Sequence, residues 1–169
     1  MIFVTVGTHE QQFDRLIKHV DQYVQDNGIN KADIFIQTGY TKYNPSNCTY
    51  KSMLTYKEMN YYYELADIII THGGPGSMFL PWKLGKKVIA VPRKVDFGEH
   101  VDNHQVDFCE KMEKEGKVIA VKEISELSSH IDNMFNNKTQ TRLYTNNTKE
   151  FIKKFNKEVN SLFDGVENG

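Results

Sequence analysis

The sequence predicts an α/β protein with a single Rossmann-like parallel sheet and helices on both of its faces. Short runs of β-branched and other apolar residues recur along the chain, at residues 2–6, 34–37, 68–71, 88–91 and 118–121. Each run is almost continuously apolar, as expected for strands buried on both faces of a parallel sheet. Helical patterns lie between the runs, and this alternation is typical of βαβ units.

The predicted helices follow the strands in order. The first has its apolar residues on one helical face, and these are Phe13, Leu16, Ile17, Val20 and Val24. Weaker patterns indicate an additional strand within residues 49–55 and a helix over residues 57–66. Two later helices are predicted over residues 78–84 and 103–114, because each pattern runs to a glycine, which commonly follows a helix C-terminus.

Length and composition are those of one globular domain. The chain has 169 residues, of which 39% are hydrophobic and 25% charged, and its net charge is −1. This balance argues against nucleic-acid binding, and no apolar run approaches the roughly 20 residues that cross a bilayer. Two cysteines, Cys48 and Cys109, are too few for a disulfide framework. These properties favour a cytoplasmic protein.

The domain is expected to cover residues 1–135, with a polar hinge and a C-terminal amphipathic helix over residues 136–169. The predicted helix carries one apolar stripe, formed by Phe151, Ile152, Phe155, Val159, Leu162 and Phe163. Several lysines lie among these positions. Two interpretations stay open: the helix packs back on the domain, or it binds a partner or a membrane surface.

A glycine-rich turn, THGGPGS at residues 71–77, joins the third apolar run to a helix. Glycine lets a backbone approach a ligand closely, and the N–H groups and dipole at a helix N-terminus favour anions such as phosphate. The turn is not a Walker A loop, because no lysine follows its last glycine, and it does not complete G-x-G-x-x-G. A tight turn without a ligand is the alternative.

Two further polar loops follow predicted strands, at residues 7–12 and 92–105. Loops at the carboxyl ends of parallel strands meet at one edge of the sheet, where ligands bind. Together the three loops offer backbone N–H groups and the cations Arg93 and Lys94 for phosphate. They also offer amides and imidazoles, which suit sugar hydroxyls. The combination favours a nucleotide-sugar ligand.

Four ordered stretches make the sequence resemble the C-terminal, donor-binding domain of glycosyltransferase family 28, which is half of a GT-B fold. They are FVTVGTHEQQFDRLI at residues 3–17, THGGPGS at 71–77, LGK at 84–86 with VPR at 91–93, and FGEHVDNHQ at 97–105. The resemblance spans residues 1 to about 121. It is nearest to small catalytic subunits of split bacterial capsule and exopolysaccharide transferases. The sequence is also similar to the eukaryotic catalytic subunit that adds N-acetylglucosamine to a dolichol-linked precursor.

The resemblance implies roles for particular residues. Residues 72–77 correspond to the diphosphate-binding loop, and the first loop faces the donor phosphate and the cleft. His104 and Gln105 would hold donor-sugar hydroxyls, and Arg93 would neutralise phosphate charge. The expected donor-binding residues are Gly7, Thr8, His72, Gly73, Gly74, Gly76, Ser77, Arg93, Glu99, His100, Asn103, His104 and Gln105. His9 is the candidate general base within this chain, and the partner subunit is the alternative source.

One position departs from the family pattern. Many relatives have a glutamate early in the helix after the glycine turn, where it holds the ribose hydroxyls, and this chain has Leu80 there. Ribose recognition therefore has no assigned residue.

A metal is not expected. His100 and His104 are four residues apart, a spacing compatible with zinc on a helix. However, the chain has no H-E-x-x-H motif, and the resemblance implies a transferase without a bound metal. No cofactor is expected, since a UDP-sugar would be a substrate.

The expected function is inverting transfer of a sugar, with galactose favoured, from a UDP-sugar to an undecaprenyl-diphosphate-linked acceptor in capsule or exopolysaccharide synthesis. A GT-B enzyme has two Rossmann-like domains, so a membrane-anchored partner is expected to bind the lipid-linked saccharide and to recruit this chain to the inner face of the membrane. Alone, the chain could form homo-oligomers. The alternatives are a non-catalytic UDP-sugar-binding accessory subunit and a small zinc hydrolase.

Overall fold

The computed structural model describes residues 1–136, which contain one six-stranded parallel sheet. The strands are β1 (Ile2–Thr5), β2 (Ile34–Gln37), β3 (Thr49–Lys51), β4 (Ile68–Thr71), β5 (Lys87–Ala90) and β6 (Ile119–Ala120). Their order is β3-β2-β1-β4-β5-β6, and every neighbouring pair is parallel. The predicted α/β fold with a Rossmann-like parallel sheet is confirmed.

Within residues 1–136 four helices connect strands, α1 (Asp14–Asp26), α2 (Tyr56–Leu65), α3 (Pro75–Lys83) and α4 (His104–Lys114), and α5 (Leu127–Asn136) follows β6. Three short 3₁₀ turns lie at Lys31–Asp33, Val95–Phe97 and Ile124–Glu126. Within residues 1–136, no helix is both long enough and apolar enough to span a bilayer. The tail predicted as a hinge and amphipathic helix falls outside the described residues, apart from Asn136.

Side chains of β1 divide the core between the two faces of the sheet. Ile2 and Val4 point to a large apolar cluster that includes residues of α1 and α5. Phe3 points to a smaller, aromatic cluster on the other face, with Phe35 and with Tyr63 from α2. Because successive side chains of a strand alternate in direction, a central strand that is apolar throughout must be covered by helices on both faces.

Helix α3 and strand β6 show the clearest differences in length from the sequence prediction, whereas β1 and α4 are each one residue shorter than predicted. Helix α3 begins at Pro75 rather than at residue 78, because the fixed φ angle of proline suits the first turn of a helix and Gly74 takes the N-cap position. Strand β6 has two residues rather than four, since only Ile119 and Ala120 pair with β5. Neither change alters the order of the elements.

Candidate functional site

A cleft of about 740 Å³ lies where the loops after β1 and β4 meet helix α2. The first loop contributes Gly7, Thr8 and His9 to its lining. The glycine turn and the start of α3 contribute His72, Gly74, Pro75, Gly76 and Ser77. Gln105 from the start of α4 completes the set of expected residues in the lining. Two of the three predicted loops thus border the cleft directly, and the third reaches it through Gln105.

The imidazole of His72 lies between two glycines. Gly7 has a φ angle of +75°, and a Cβ atom there would lie 2.6 Å from His72 Cε1. A Cβ atom on Gly74 would overlap His72 Nε2. The missing side chains therefore make the space that the ring occupies, and the ring connects the first loop to the glycine turn.

His72 is neutral in this position. Loss of hydration, reinforced by the positive charge of Arg93, lowers the pKa of His72 to about 3. Its backbone N–H donates to the Thr5 carbonyl at 3.2 Å, which fixes the start of the turn against β1. The cleft therefore has an uncharged imidazole in its wall at neutral pH.

Hydroxyl groups fix the turn into α3. Ser77 Oγ donates to the Gly74 carbonyl at 2.8 Å, and the hydroxyls of Thr71 and Ser77 are hydrogen-bonded to each other. Gly76, in the first helical turn, is exposed, and N–H groups there have no intrahelical acceptor. The turn thus presents a rigid, positively polarised helix terminus to the cleft.

Gly73 does not line the cleft. It has a φ angle of +84°, and a Cβ atom there would overlap the Sγ atom of Cys109 and lie 3.6 Å from Pro92 Cα. Its place is behind the turn, where α4 packs closely. Gly73 therefore permits the turn to form rather than facing a ligand.

The side chain of Gln37, at the end of β2, clamps the first loop. Its Oε1 accepts from the Gly7 N–H at 3.1 Å and from the Thr5 hydroxyl at 2.7 Å. Its Nε2 donates to the carbonyls of Gly7 at 2.9 Å and Ser52 at 3.0 Å. The sequence analysis missed this residue. The available signal was a polar side chain that ends an otherwise apolar buried strand.

His9 points into the cleft from the same loop. Its Nδ1 accepts the Gln11 N–H at 3.2 Å, and partial burial followed by the charge of His100 lowers the pKa of His9. A neutral ring that accepts at Nδ1 carries its proton on Nε2. In this arrangement His9 is a hydrogen-bond donor toward the cleft and has no free lone pair for a base.

The position of Arg93 corrects its expected role. The side chain is fully buried, and its guanidinium lies 4.8 Å from the centre of the Phe13 ring. It donates to four backbone carbonyls, at 2.8–3.1 Å, those of Val6, Gln11, Gln12 and Glu99. Arg93 therefore ties the loop after β1 to the loop after β5, and a bound phosphate would have to compete with these acceptors.

Glu99 belongs to the same buried network rather than to the cleft surface. It is 1% exposed, and its carboxylate accepts two bonds from Arg15, at 3.0 and 2.8 Å. The Lys94 N–H donates to it at 3.1 Å. Like Arg93, Glu99 stabilises the third loop from its buried side.

The remaining residues of the third loop occupy the rim. His100 lies beside His9, with the ring centres 4.8 Å apart. Asn103 and His104 are exposed, and neither lines the cleft. Gln105 does line it, and its Oε1 accepts the Arg93 N–H at 3.3 Å. Of the two residues expected to hold the sugar, the structure therefore brings only Gln105 to the cleft surface.

Helix α2 forms a wall that the sequence analysis did not assign to the site. Tyr56, Met59, Asn60 and Tyr63 line the cleft from this helix. The Oδ1 atom of Asn60 is buried and has no hydrogen-bond partner within residues 1–136. Leu80, at the position where many relatives have glutamate, also lines the cleft. This side of the cleft combines aromatic and apolar surface with one unsatisfied amide.

Among residues 1–136, no group of three or more His, Cys, Asp and Glu side chains is arranged to hold a metal ion. The imidazoles of His9, His72 and His100 interact electrostatically, but His9 Nδ1 already accepts the Gln11 N–H, and Gly7 and Gly74 enclose the His72 ring. Charge at the cleft therefore comes from backbone dipoles and from Lys83 at the end of α3.

The sequence profile of the glycosyltransferase family 28 C-terminal domain matches residues 1–162. No curated protein matches the chain. Solved structures that share the fold include the glycotransferase of kitacinnamycin, with TM-score 0.55 and 15% identity. MurG from Acinetobacter baumannii has TM-score 0.55 and 17% identity, and SnogD from Streptomyces nogalater has TM-score 0.55 and 19% identity.

These alignments cover 79%, 78% and 81% of this chain, but only 34%, 40% and 35% of the three solved chains, in the same order. The chain therefore spans little more than a third of the length of these glycosyltransferases. At identities below 20%, the similarity is one of fold, a Rossmann-like half of the GT-B architecture.

Proposed function

Because the chain belongs to the glycosyltransferase family 28 C-terminal domains, we propose that it is the donor-binding, catalytic half of an inverting glycosyltransferase. It transfers a sugar, with galactose favoured, from a UDP-sugar to an undecaprenyl-diphosphate-linked acceptor in capsule or exopolysaccharide synthesis. The observation that carries the proposal is the cleft, in which a glycine turn at a helix N-terminus faces polar groups of the first loop and Gln105.

Each part of a UDP-sugar has a matching surface. The diphosphate fits the start of α3, where Gly74 and Gly76 allow close approach and the helix dipole favours negative charge. The base fits the α2 wall, where an N–H group of the base would donate to the buried Oδ1 atom of Asn60. The sugar then lies toward Gln105 and the rim of the third loop.

The chemistry requires stabilisation of the leaving group. As the bond from the anomeric carbon to the β-phosphate oxygen breaks, negative charge grows on UDP. The N–H groups of the first turn of α3 and the Nε2–H of His9 are fixed donors at that place, and preorganised donors lower the barrier. We expect no divalent cation to be needed, so transfer should persist in excess chelator.

A second subunit supplies the acceptor site in this proposal. The chain spans about a third of the solved transferases, and the GT-B architecture places the acceptor in the other half. We propose a membrane-anchored partner that holds the lipid-linked saccharide and recruits this chain to the inner membrane face. The resemblance of the sequence motifs to small subunits of split enzymes, including the eukaryotic one, supports this part of the proposal.

The experiment uses membranes from source cells that lack this chain. Purified protein and radiolabelled UDP-galactose are added, and label in the lipid extract is measured. Transfer that depends on the added chain supports the proposal, and UDP-glucose and UDP-N-acetylglucosamine in parallel identify the sugar. Binding of UDP-sugars without transfer would instead indicate the non-catalytic accessory subunit.

Gln105→Ala tests the position of the sugar. We expect this variant to lose transfer while its UDP affinity, measured by calorimetry, stays near that of the wild type. Gln22→Ala, an exposed change on α1, is the matched control. Equal losses of UDP affinity and transfer would show that Gln105 supports the nucleotide or the fold.

A further inference from the structure

We propose that the cleft accepts nucleotides of 2′-deoxyribose as readily as nucleotides of ribose, because apolar side chains form the surface on which this sugar lies. The inference rests on the proposed function and deepens it by naming the donor class, which includes UDP-sugars and 2′-deoxy-UDP-sugars alike. Leu80 of α3 is the residue that sets this selectivity.

The position of the ribose follows from the two ends of the nucleotide. In the proposed pose the diphosphate lies at the start of α3, beside Gly76, and the base lies at Asn60 of α2. Helices α2 and α3 are in contact. Leu80 comes four residues after Gly76, so the two lie on one face of α3, and both line the cleft. The ribose, which joins the base to the diphosphate, therefore lies over Leu80.

Leu80 belongs to an apolar strip that continues the core into the cleft. The strip consists of Leu54, Met59 and Leu80, which line the cleft and also pack against the smaller, aromatic core cluster. This packing fixes the strip, because side chains in a close-packed interior have little room to rearrange. A hydroxyl group that rests on the strip finds neither a donor nor an acceptor in these side chains.

Polar groups beside the apolar strip are already engaged. The Ser77 hydroxyl donates to the Gly74 carbonyl at 2.8 Å, and the Tyr63 hydroxyl donates to the Ser77 carbonyl at 3.3 Å. The Asn60 amide serves the base in the proposed pose. These groups hold the two helices and the base in place and are not available to the 2′-hydroxyl.

Two further polar side chains of the lining stand in solvent. Tyr56 at the start of α2 is 81% exposed, and Lys83 at the end of α3 is also exposed. A hydrogen bond from a solvated group replaces one to water, so its net contribution to binding is small. A site rejects a ligand that lacks a hydroxyl only where it is built to hydrogen-bond that hydroxyl, and the apolar strip is not.

The experiment measures the affinities of UDP and 2′-deoxy-UDP for the full chain by calorimetry. For the wild type we expect the two Kd values to agree within about threefold, less than one typical hydrogen bond contributes. Leu80→Glu puts a charged acceptor under the ribose, so this variant should bind UDP about tenfold more tightly than 2′-deoxy-UDP. Leu65→Glu adds the same charge at an exposed position outside the cleft lining. It is the matched control and should leave the two affinities equal.

Asn60→Leu and Lys83→Met test the polar side chains on either side of the apolar strip. Each should change the affinities for the two nucleotides by the same factor, and Asn60→Leu should weaken both because the base loses its acceptor. A loss confined to UDP would show that the substituted side chain holds the 2′-hydroxyl, and it would overturn the inference.

NMR of the wild-type chain gives a readout that does not depend on a variant that folds. Nuclear Overhauser effects are expected between the Leu80 methyl groups and the ribose protons of bound UDP. Absence of these effects, a wild-type preference for UDP of more than threefold, or a folded Leu80→Glu variant without such a preference would each overturn the inference. These results would leave UDP binding and transfer untouched. Failure of the wild-type chain to bind UDP would instead contradict the proposed function itself.

Discussion

At the scale of single residues, the contact between His72 and Gly74 leads to a direct prediction. Gly74→Ala should destabilise the fold by about 1–3 kcal/mol, because the added methyl overlaps the His72 ring and the turn must shift. Gly76→Ala, two residues on, is the stability control, since a Cβ atom there meets nothing within 4 Å. Urea unfolding measures both. Equal stability of the two variants would show that the ring can move aside at no cost.

The neutral state of His72 predicts a pH dependence of stability. The pKa of His72 is about 3 in the fold and about 6.5 in the unfolded chain. The unfolded chain therefore binds more protons between these values, and stability falls as the pH decreases. From pH 7 to 5 the loss of stability attributable to His72 should be about 2 kcal/mol, since each pH unit well below the unfolded-state pKa costs about 1.36 kcal/mol.

Unfolding in urea at pH 7 and pH 5 checks this value, with His72→Gln expected to flatten the dependence. His130→Gln should leave the dependence as in the wild type. A weaker dependence of stability on pH will remain in His72→Gln, since burial also lowers the pKa of His9 and His19. A dependence unchanged in His72→Gln would contradict the assignment.

The charge of a residue can be predicted from sequence, but the direction of its side chain cannot. Arg93 follows a buried strand and precedes a polar loop, so a phosphate contact was a reasonable expectation. The structure turns the guanidinium inward, because four carbonyls of two loops need donors there. That requirement depends on loops separated by about 80 residues, and local sequence does not contain it.

At the scale of elements, α3 contains a proline whose effect another helix offsets. Pro81 has no N–H, so it cannot donate to the Ser77 carbonyl four residues earlier. The Tyr63 hydroxyl of α2 donates to that carbonyl instead, at 3.3 Å. The two helices are thereby joined across the cleft wall.

This arrangement predicts coupling between the two residues. Tyr63→Phe should cost about 1 kcal/mol, the usual effect of losing one buried hydrogen bond. In a Pro81→Ala background the restored N–H can serve the Ser77 carbonyl, so the same change should cost less. A double-mutant cycle of unfolding free energies measures the difference. Additive effects would mean that the Tyr63 hydroxyl does not replace the missing helical bond.

The elements themselves were largely predictable, because continuous apolar runs identify buried strands. Strands β2 and β4 match the predicted residues, and α2 lies within one residue of its prediction at each end. The cleft wall on α2 was not predictable. Tyr62 stacks on Phe35 at 3.9 Å and Tyr63 packs against Phe3, and this packing decides that Met59 and Asn60 face the cleft.

At the scale of the whole molecule, donor binding and assembly should be separable. The two core clusters described above draw their residues from within residues 1–135, and the cleft lies within residues 5–105. A chain that ends at Asn147 should therefore unfold cooperatively and bind UDP like the full chain. It should lose the membrane partner, because we propose that the predicted helix with the apolar stripe of residues 151–163 docks on that partner. Co-purification with the partner tests this. An undiminished yield of the partner would show that the tail is not the docking element.

The strand order also has a consequence during synthesis of the protein. Of the six described strands β1 is made first, and it takes a central position, where it pairs with β2 at Ile34 and with β4 at Ile68. The second partner is made about 66 residues later, which takes about 3–13 s at ordinary translation rates of about 5–20 residues/s. Throughout this interval one backbone edge of an apolar strand stays unpaired. The nascent chain is therefore a natural client for chaperones that shield extended apolar segments, and slow codons before β4 should increase its aggregation.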